Sequence, residues 1–278
     1  METCLNSYYI LDQQLVHSCD FNPFRFENED LIYEVIRVID GKPLFLKEHL
    51  RRFFATLAHN AWSIRESEKQ IRFMLKNLIE SNRTDSGNIK LIAYSCNSVN
   101  QLKAAAWFIP VNYPSNQLYK EGVPLISMKM GRKQPNLKIQ HSAYKNAIQQ
   151  KLNDSGAYEV VLAADGVVTE GSKSNLFFIR DNRIFTAKDD QVLGGITRDK
   201  IVGICSDHRV SLIKDEIKLD QIDGFEASFL TGTSPKVLAI NKIDEVRFDV
   251  THPFITLLYE ELNRIIKQDI SDFEWDHA

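Results

Sequence analysis

The sequence contains few of the features that mark disulfide scaffolds, metal centres or membrane spans. Its 278 residues include only four cysteines, with no Cys-x-x-Cys pair and no spacing typical of metal ligands: Cys4, Cys19, Cys96 and Cys205. Such scattered cysteines are typical of reduced core thiols in a cytosolic protein. No apolar run approaches the roughly 20 residues of a membrane helix, and the first residues, METCLNSYYILDQ, lack the basic and apolar regions of a signal peptide. We therefore expect a soluble, cytoplasmic protein with no membrane partner.

A strong excess of charge is also absent. The formal net charge is −3, so no general attraction to nucleic acid is expected, and a small anionic substrate would need local cations. Several familiar catalytic motifs are missing too: a Walker loop, G-x-G-x-x-G, H-E-x-x-H and the G-x-S-x-G nucleophile elbow. A lysine–glutamate pair and two Gly/Thr turns remain as candidate chemistry.

The lysine–glutamate pair lies in the stretch 136–175. Lys138 ends an extended segment and is followed by a predicted helix at about 142–155, with Gly156 as the residue that ends it. A hairpin with its turn at Asp165-Gly166 then leads to Glu170, which precedes a Gly/Ser-rich turn. Alone, Lys138 could be an exposed lysine and Glu170 a turn residue. Together, they suit an aldehyde cofactor that has a basic ring nitrogen.

The rest of the chain mixes strand pairs with helices. Asp40-Gly41 predicts a hairpin, and apolar residues at helical spacing predict helices at 47–60, 66–80 and 253–267. Because strands and helices do not alternate as in βαβ units, we expect an α+β fold rather than a Rossmann sheet. The segment NYPSNQ (112–117) predicts a linker between a small N-terminal α/β domain, 1–114, and a larger, β-rich C-terminal domain, 118–278.

Two turns have the composition of phosphate sites. Gly194-Gly195-Ile196-Thr197 opens a predicted helix with Thr197 as N-cap, and free N–H groups at a helix N-terminus attract phosphate. The turn 231–234 (TGTS) offers further donors. Arg51 and Arg52 could supply the counter-charge. Simple capped turns and a solvated arginine pair are the alternative interpretation.

Five blocks in a fixed order resemble the class IV (fold-type IV) aminotransferases, which use pyridoxal 5′-phosphate. This family includes D-amino-acid and branched-chain aminotransferases and aminodeoxychorismate lyases. The resemblance covers nearly the whole chain and rests on 32–53 (IYEVIRVIDGKPLFLKEHLRRF), 136–155 (NLK and a helix), 168–186 (VTEGSKSNLFFIRDNRIFT), 194–201 (GGITRDKI) and 229–237 (FLTGTSPKV).

The resemblance implies a role for each matching residue. Lys138 corresponds to the Schiff-base lysine, which also shuttles a proton, and Glu170 to the carboxylate that faces the pyridine nitrogen. Tyr33 corresponds to an active-site tyrosine beside the substrate. The remaining cofactor-binding positions are Arg52, in an H-x-x-R pattern with His49, for the phosphate; Ile196, Thr197 and Thr233 for the rest of the phosphate cup; and Asn175 near the cofactor.

The substrate is less clearly indicated. Tyr33-Glu34-Val35 resembles the D-amino-acid enzymes, and Val35 replaces a threonine frequent in the lyases. Yet the Arg-x-His pair that binds the α-carboxylate in D-amino-acid enzymes is missing from 94–103 (YSCNSVNQLK). The tyrosine of branched-chain members is missing too: position 143 is Ala, with Tyr144 beside it. Candidate cations for the carboxylate, each also interpretable as a surface charge, are Arg25, Lys90 and Lys173.

Three functions remain open. The first is an aminotransferase of small amino acids and 2-oxo acids, with D-amino acids favoured and branched-chain L-amino acids as the other donor class. The second is an aminodeoxychorismate lyase, which forms 4-aminobenzoate and pyruvate. The third is a cofactor-binding homologue without catalysis, which the presence of Lys138 and Glu170 disfavours. The resemblance also implies a homodimer in which the two domains enclose the cofactor.

Overall fold

A computed structural model describes residues 3–26, 31–95, 101–132 and 134–275. The chain forms two compact units. The first comprises Met1–Asn112, Lys138–Tyr144 and Ile266–Ala278; the second comprises Tyr113–Leu137 and Lys145–Ile265. The α+β fold expected from sequence is confirmed, because helices and largely antiparallel sheets occur without regular βαβ alternation. The division into a small N-terminal domain, 1–114, and a larger domain, 118–278, remains a prediction.

Six α-helices are present in the described residues: α1 Leu46–His59, α2 Glu68–Asn82, α3 Asn116–Glu121, α4 Ser142–Ser155, α5 Ile196–Asp207 and α6 Pro253–Asp272. Helix α1 buries the apolar stripe that predicted it, including Leu50, Phe53 and Leu57. Helix α2 begins at a capping box in which Ser67 and Gln70 satisfy each other's backbone N–H groups. None of the helices in these segments is long and apolar enough to cross a membrane.

Eighteen strands complete the described structure: β1 Leu5–Leu11, β2 Gln14–His17, β3 Leu31–Ile39, β4 Lys42–Pro43, β5 Ser63–Ile64, β6 Ser86–Tyr94, β7 Gln101–Ile109, β8 Val123–Lys129, β9 Ile139–Gln140, β10 Glu159–Ala164, β11 Val167–Gly171, β12 Asn175–Arg180, β13 Arg183–Thr186, β14 Ser211–Lys214, β15 Ile217–Lys218, β16 Ala227–Gly232, β17 Lys236–Ile243 and β18 Val246–Arg247.

The sheet of the first unit has the order β2-β1-β7-β6-β3-β4, with β5 paired to β7 and β9 paired to β3. In its ladders Lys90 is opposite both Val35 and Trp107, and Gln140 is opposite Leu31. Side chains alternate along a strand, and residues paired across a ladder share a face. Tyr33 therefore shares its face with these residues, whereas the adjacent Glu34 points to the opposite face.

The sheet of the second unit has the order β14-β13-β12-β16-β17-β8-β10-β11-β15, with β18 on β17. Its core contains buried side chains from several strands, such as Val161, Phe178, Leu230 and Leu238. The β10–β11 hairpin turns at Asp165-Gly166, where φ is +50° and +80°. Positive φ at both turn residues is the type I′ geometry predicted for this dipeptide. The hairpin brings Glu170 to the end of β11.

Two local expectations were wrong. The N-cap of α5 is Gly195 rather than Thr197, which is the second residue of the helix. Cys19 is exposed rather than a core thiol. Helix α3 begins inside the predicted linker 112–117, and its N-cap Ser115 accepts a hydrogen bond from the Leu118 N–H. Cys205 is buried as expected, and Cys96 lies outside the described residues.

Candidate active site

Lys138 and Tyr33 lie together in the first unit. Lys138 immediately precedes β9, and its carbonyl oxygen accepts a hydrogen bond from the Tyr33 N–H at 3.1 Å. Lys138 Nζ lies 4.7 Å from the centroid of the Tyr33 ring, which is within the range of a cation–π interaction. The structure therefore brings these two predicted residues together, Tyr33 on β3 and Lys138 immediately before β9.

A second lysine approaches the same tyrosine. Lys90 is 4% exposed, and its Nζ lies 5.4 Å from the Tyr33 ring centroid and 5.8 Å from that of Trp107. The Lys90 ammonium also donates a hydrogen bond to Gln140 Oε1 at 2.9 Å. Of the three candidate carboxylate ligands, this is the one that the structure places beside Lys138 and Tyr33.

The other face of β3 carries a buried ion pair. Arg52 Nε and Nη2 donate to the two oxygens of Glu34, each at 2.7 Å, and His49 Nδ1 lies 2.7 Å from Glu34 Oε2. Burial opposes ionisation of Glu34, but the charge of Arg52 and the hydrogen bonds from Arg52 and His49 lower the pKa of Glu34 to about 2. Burial lowers the pKa of His49, and because an ionised carboxylate can only accept hydrogen bonds, His49 Nδ1–H is the donor to Glu34.

The ion pair with Glu34 holds Arg52, the arginine that is predicted to bind the cofactor phosphate, in place. Glu34 is fully buried, whereas the Arg52 side chain is 15% exposed. The bidentate arrangement holds the guanidinium in one orientation, and the exposed part of the side chain is where an anion would approach. The H-x-x-R pattern in the sequence identified Arg52 as the predicted phosphate ligand. It did not predict that Glu34 would bind both His49 and Arg52.

In the second unit, Glu170 is held by two donors. Arg132 Nη1 donates to Glu170 Oε1 at 3.1 Å, and the Leu193 N–H donates to Oε2 at 3.0 Å. The Leu193 carbonyl in turn accepts from Asn175 Nδ2 at 2.9 Å. Leu193 therefore links the two predicted residues Glu170 and Asn175 through its main chain. Arg132 was not identified from sequence, because a lone arginine in a loop gives no periodic signal.

The N-terminus of α5 lies beside Asn175. Gly195 has no side chain to cap the helix, and a Cβ built on it would lie 2.1 Å from Asn175 Oδ1. The next two residues, Ile196 and Thr197, are both buried. Their backbone N–H groups belong to the first turn of the helix, which favours an anion.

The β16–β17 hairpin contributes hydroxyl groups in the same unit. Thr231 pairs with Asn175 in the ladder between β12 and β16, and its buried Oγ1 has no hydrogen-bond partner within the described segments. A buried hydroxyl without a partner is costly unless a ligand or water satisfies it. Thr233 is half-buried in the turn that follows.

A buried carboxyl group supports the Gly/Ser turn after Glu170. Glu159 Oε1 accepts hydrogen bonds from the Lys173 N–H at 2.6 Å and from Ser174 Oγ at 3.0 Å. Burial raises the pKa of Glu159 despite these donors, which act in the opposite direction. No motif or spacing in the sequence singles out Glu159.

The other two candidate carboxylate ligands are exposed. The Lys173 side chain is exposed, and its backbone rather than its ammonium contacts Glu159. Arg25 is exposed on a short 3₁₀ helix, with its guanidinium 5.8 Å from the Tyr94 ring centroid. Half of the region 94–103, where the Arg-x-His pair is missing, lies outside the described residues, at 96–100.

These groups have the chemistry that pyridoxal phosphate requires. The fit rests on a lysine beside an aromatic ring, a carboxylate held by two donors, and donors suited to phosphate. The last group includes the Thr231 hydroxyl, which has no hydrogen-bond partner among the described residues, and the helix N-terminus at Gly195, where a Cβ would contact the Asn175 side chain. We conclude that the residues present fit the cofactor.

Comparison with known families agrees with this chemistry. The sequence model described as "Amino-transferase class IV" matches residues 31–243, a range that includes both Lys138 and Glu170. The chain therefore belongs to the class IV aminotransferase family. Members of this family bind pyridoxal phosphate.

Individual relatives carry different names. The chain is 27% identical to the D-alanine aminotransferase of Bacillus licheniformis over 227 residues, covering 77% of this chain and 79% of that protein. It is 28% identical to a probable branched-chain-amino-acid aminotransferase of Rickettsia bellii over 269 residues, covering 91% and 90%.

Solved structures agree on the fold. A branched-chain amino acid aminotransferase of T.th. with pyridoxamine 5′-phosphate has a TM-score of 0.84 at 23% identity, covering 96% of both chains. A putative 4-amino-4-deoxychorismate lyase from Legionella pneumophila has a TM-score of 0.74 at 23% identity, covering 88% of this chain and 93% of that one. The fold-type IV architecture is thus confirmed, and the named transferase and the protein described as a putative lyase share it.

Proposed function

We propose that the chain is a pyridoxal-phosphate-dependent aminotransferase that moves an amino group between a small amino acid and a 2-oxo acid, with D-amino acids as preferred donors. The observation that carries this proposal is that the family match includes both Lys138 and Glu170, with Lys138 held against Tyr33. The D-preference is supported by Tyr33-Glu34-Val35 and by the similarity to a D-alanine aminotransferase.

The resemblance assigns the cofactor contacts. Lys138 would bond to the cofactor's aldehyde carbon, and Glu170 would hold a proton on its ring nitrogen. Arg132 and Leu193 stabilise the Glu170 carboxylate, which is the form that this role requires. The phosphate contacts would come from Arg52, Ile196, Thr197 and Thr233, with Asn175 close by.

When bound, pyridoxal phosphate supplies an electrophilic carbon for the amino group and a ring that accepts electrons from the substrate α-carbon. Residues of the chain would transfer the proton and hold the reacting groups in position. Lys138 Nζ, once displaced by the substrate amine, would move the proton from the α-carbon. Tyr33 would keep that nitrogen in position through its ring face, and Glu170 would keep the ring nitrogen protonated.

A half-reaction screen tests the proposal. The protein is loaded with pyridoxal phosphate, freed of excess cofactor and mixed with single D- or L-amino acids. We expect D-alanine to convert the bound cofactor to its pyridoxamine form, followed by absorbance, and a 2-oxo acid to reverse the change. If no amino acid converts the cofactor, the chain is not an aminotransferase.

Borohydride reduction tests the lysine. Reduction of the loaded protein should fix the cofactor on Lys138, as identified by peptide mass spectrometry, and the Lys138→Ala variant should carry none there. The nearby Lys145 serves as the control peptide. Cofactor fixed on another lysine would contradict the assignment.

The same screen separates the other candidates. Branched-chain L-amino acids are the second donor class, favoured by the similarity to the Rickettsia bellii protein. Release of 4-aminobenzoate and pyruvate from aminodeoxychorismate would identify a lyase, and cofactor binding without either reaction would identify an inactive homologue. A homodimer and a cytoplasmic location remain proposals that rest on the family resemblance and on the composition.

A further inference from the structure

We propose that Lys236 is a positioning residue for the cofactor phosphate, because its ammonium group anchors the turn that carries Thr233. This inference rests on the proposed function, in which Thr233 is a phosphate contact, and it lies wholly within the second unit. The family resemblance implies a contact for Thr233 but none for Lys236.

The turn that carries Thr233 joins β16 to β17. Gly232 at the end of β16 pairs with Lys236 at the start of β17, and the preceding residue, Thr231, pairs with Asn175 on β12. A Cβ on Gly195, the N-cap of α5, would lie against the Asn175 side chain. The turn therefore follows directly on a strand residue that neighbours the predicted phosphate site.

The backbone of Lys236 is left-handed, with φ at +58°. In a hairpin with a three-residue loop, such as this one, the left-handed position normally belongs to glycine, because a Cβ is crowded there. Another residue holds this conformation only where the surrounding contacts compensate for the strain, and such strain is concentrated at functional sites. The conformation therefore points to a function for the lysine side chain.

The Lys236 side chain is held by helix α6. Its Nζ donates a hydrogen bond to Asn263 Oδ1 and lies 5.9 Å from the centroid of the Tyr259 ring, which is within the range of a cation–π interaction. Asn263 Nδ2 donates to the Tyr259 carbonyl at 2.8 Å, and this bond orients the amide so that its oxygen faces the lysine. Two residues on successive turns of α6 thus hold the ammonium group in one place.

A second contact restrains the same turn from helix α3. Tyr119 Oη donates to the Pro235 carbonyl at 3.0 Å, and the Tyr119 ring packs against that of Tyr259 with centroids 5.2 Å apart. Pro235 in turn lies close to Gly232, where an added Cβ would be 3.3 Å from the proline Cγ and Cδ. The contacts from α3 and α6 are therefore joined to each other, and they hold the last two residues of the turn.

Holding the end of the turn restricts the part that carries Thr233. Thr233 is half-buried and lies two residues before Pro235. Its hydroxyl and N–H groups can bind a phosphate more tightly if they are already held in place, because ordering a loop at binding costs conformational entropy. Loss of the Lys236 anchor should therefore weaken the phosphate contact and leave the contacts of the cofactor ring unchanged.

The test compares pyridoxal phosphate with pyridoxal, which lacks the phosphate. The full-length protein is freed of cofactor, and the dissociation constant of each compound is measured by absorbance titration. We expect Lys236→Met to raise the constant for pyridoxal phosphate roughly 10-fold, the size of effect of one lost hydrogen bond made by a charged group. The constant for pyridoxal should stay nearly the same, and Lys236→Arg, which keeps a cation, should recover most of the lost affinity.

Lys236→Gly separates the anchor from the backbone conformation. Glycine adopts the left-handed conformation without strain, so urea unfolding should show this variant to be at least as stable as Lys236→Met. Because it also lacks the ammonium group, it should bind pyridoxal phosphate as weakly as Lys236→Met does. Recovery of the wild-type affinity in Lys236→Gly would show that only the backbone conformation matters, and it would overturn the proposal.

Lys242→Met is the matched control. Lys242 is on the same strand, β17, and its Nζ lies 3.6 Å from Glu245 Oε1 in an exposed ion pair. This variant removes the same charge near the other end of the strand and should leave both dissociation constants unchanged. An equal loss of pyridoxal phosphate affinity in both variants would reduce the effect to net charge and contradict the role of Lys236.

Unchanged pyridoxal phosphate affinity in a folded Lys236→Met variant would also overturn the proposal. If circular dichroism shows that this variant is unfolded, Asn263→Ala, which removes the acceptor of the Lys236 ammonium, is measured in its place. A wild type that binds pyridoxal as tightly as pyridoxal phosphate would refute the phosphate site together with the role of Lys236. A wild type that converts no amino acid would refute the aminotransferase function alone, because the affinities are measured without turnover.

Discussion

Lys138 Nζ lies 4.7 Å from the centroid of the Tyr33 ring, and the Tyr33 N–H donates to the Lys138 carbonyl at 3.1 Å. The two residues are thus joined by both backbone and side chain, although 105 positions separate them in the sequence. The backbone bond extends the β3–β9 ladder by one residue. The position of the lysine therefore depends on strand pairing.

Replacing Tyr33 should reveal how much the ring contributes. We expect Tyr33→Ala to slow amino-group transfer by roughly 5- to 30-fold, because a partly desolvated cation–π contact is worth about 1–2 kcal/mol. Tyr33→Phe keeps the ring and should lose less. Single-turnover rates with D-alanine measure both. Equal rates for wild type and Tyr33→Ala would show that the contact has no catalytic importance.

Breaking the buried ion pair should destabilise the fold. Glu34→Gln leaves the Arg52 guanidinium without its carboxylate, and breaking a buried pair in this way costs about 3–5 kcal/mol. Urea unfolding measures the loss. The control is Glu68→Gln, which breaks the surface pair of Glu68 and Arg72 on α2 and should cost less than about 1 kcal/mol. Similar losses in both variants would contradict the importance of burial.

The same carboxylate should give the stability a defined pH dependence. Because the pKa of Glu34 falls from 4.5 to about 2 on folding, its contribution is fully present above pH 4.5 and is lost as the pH falls towards 2. A shift of this size corresponds to roughly 3 kcal/mol. The free energy of unfolding of Glu34→Gln, measured against pH, should fall less steeply over this window than that of the wild type.

Gly195→Ala should weaken cofactor binding. The added Cβ would lie 2.1 Å from Asn175 Oδ1, so the start of α5 or the Asn175 side chain must move. We expect a rise of roughly 10-fold in the dissociation constant of pyridoxal phosphate, which corresponds to about 1.4 kcal/mol, measured by absorbance titration. Gly203→Ala is the control, because its Cβ would meet nothing within 4 Å inside the same helix, and it should add about 0.5–1 kcal/mol of stability. Unchanged cofactor affinity in Gly195→Ala would contradict a role for this turn.

Two substitutions at Glu159 should have different effects. Glu159→Ala removes the acceptor of the Lys173 N–H and Ser174 hydroxyl hydrogen bonds and should cost about 1–3 kcal/mol. Glu159→Gln keeps an acceptor oxygen without the buried charge. Because the pKa of Glu159 is raised, ionisation costs stability at neutral pH, and the Gln variant should be at least as stable as wild type at pH 7. Stability is measured by thermal unfolding. If the charge itself is required, Glu159→Gln would instead be less stable than the wild type.

Local signals in the sequence predicted much of the fold. Helix α4 has the predicted bounds Ser142–Ser155, because Gly156 at φ +65° ends it as expected. The start of α5 was misplaced, since a Thr in the first turn looks like a cap while Gly195 is the actual N-cap. Local sequence patterns therefore predicted where a helix lies more accurately than they predicted its first residue.

The contacts of the site were less accessible from sequence. Lys90 could not be separated from Arg25 and Lys173, because burial and a shared face with Tyr33 depend on the register of β6 against β3. Arg132 lies 38 positions before its partner Glu170, in a loop that has no periodicity. Long-range pairing, rather than residue type, determines these contacts.

The link between Glu170 and Asn175 has a consequence for protein engineering. Both of its hydrogen bonds are made by the main chain of Leu193, not by its side chain. These hydrogen bonds therefore allow any residue type at position 193 except proline, which lacks the N–H. Position 193 is thus a suitable site for a mutant library, because its half-buried side chain can be exchanged while the contacts of Glu170 and Asn175 are retained.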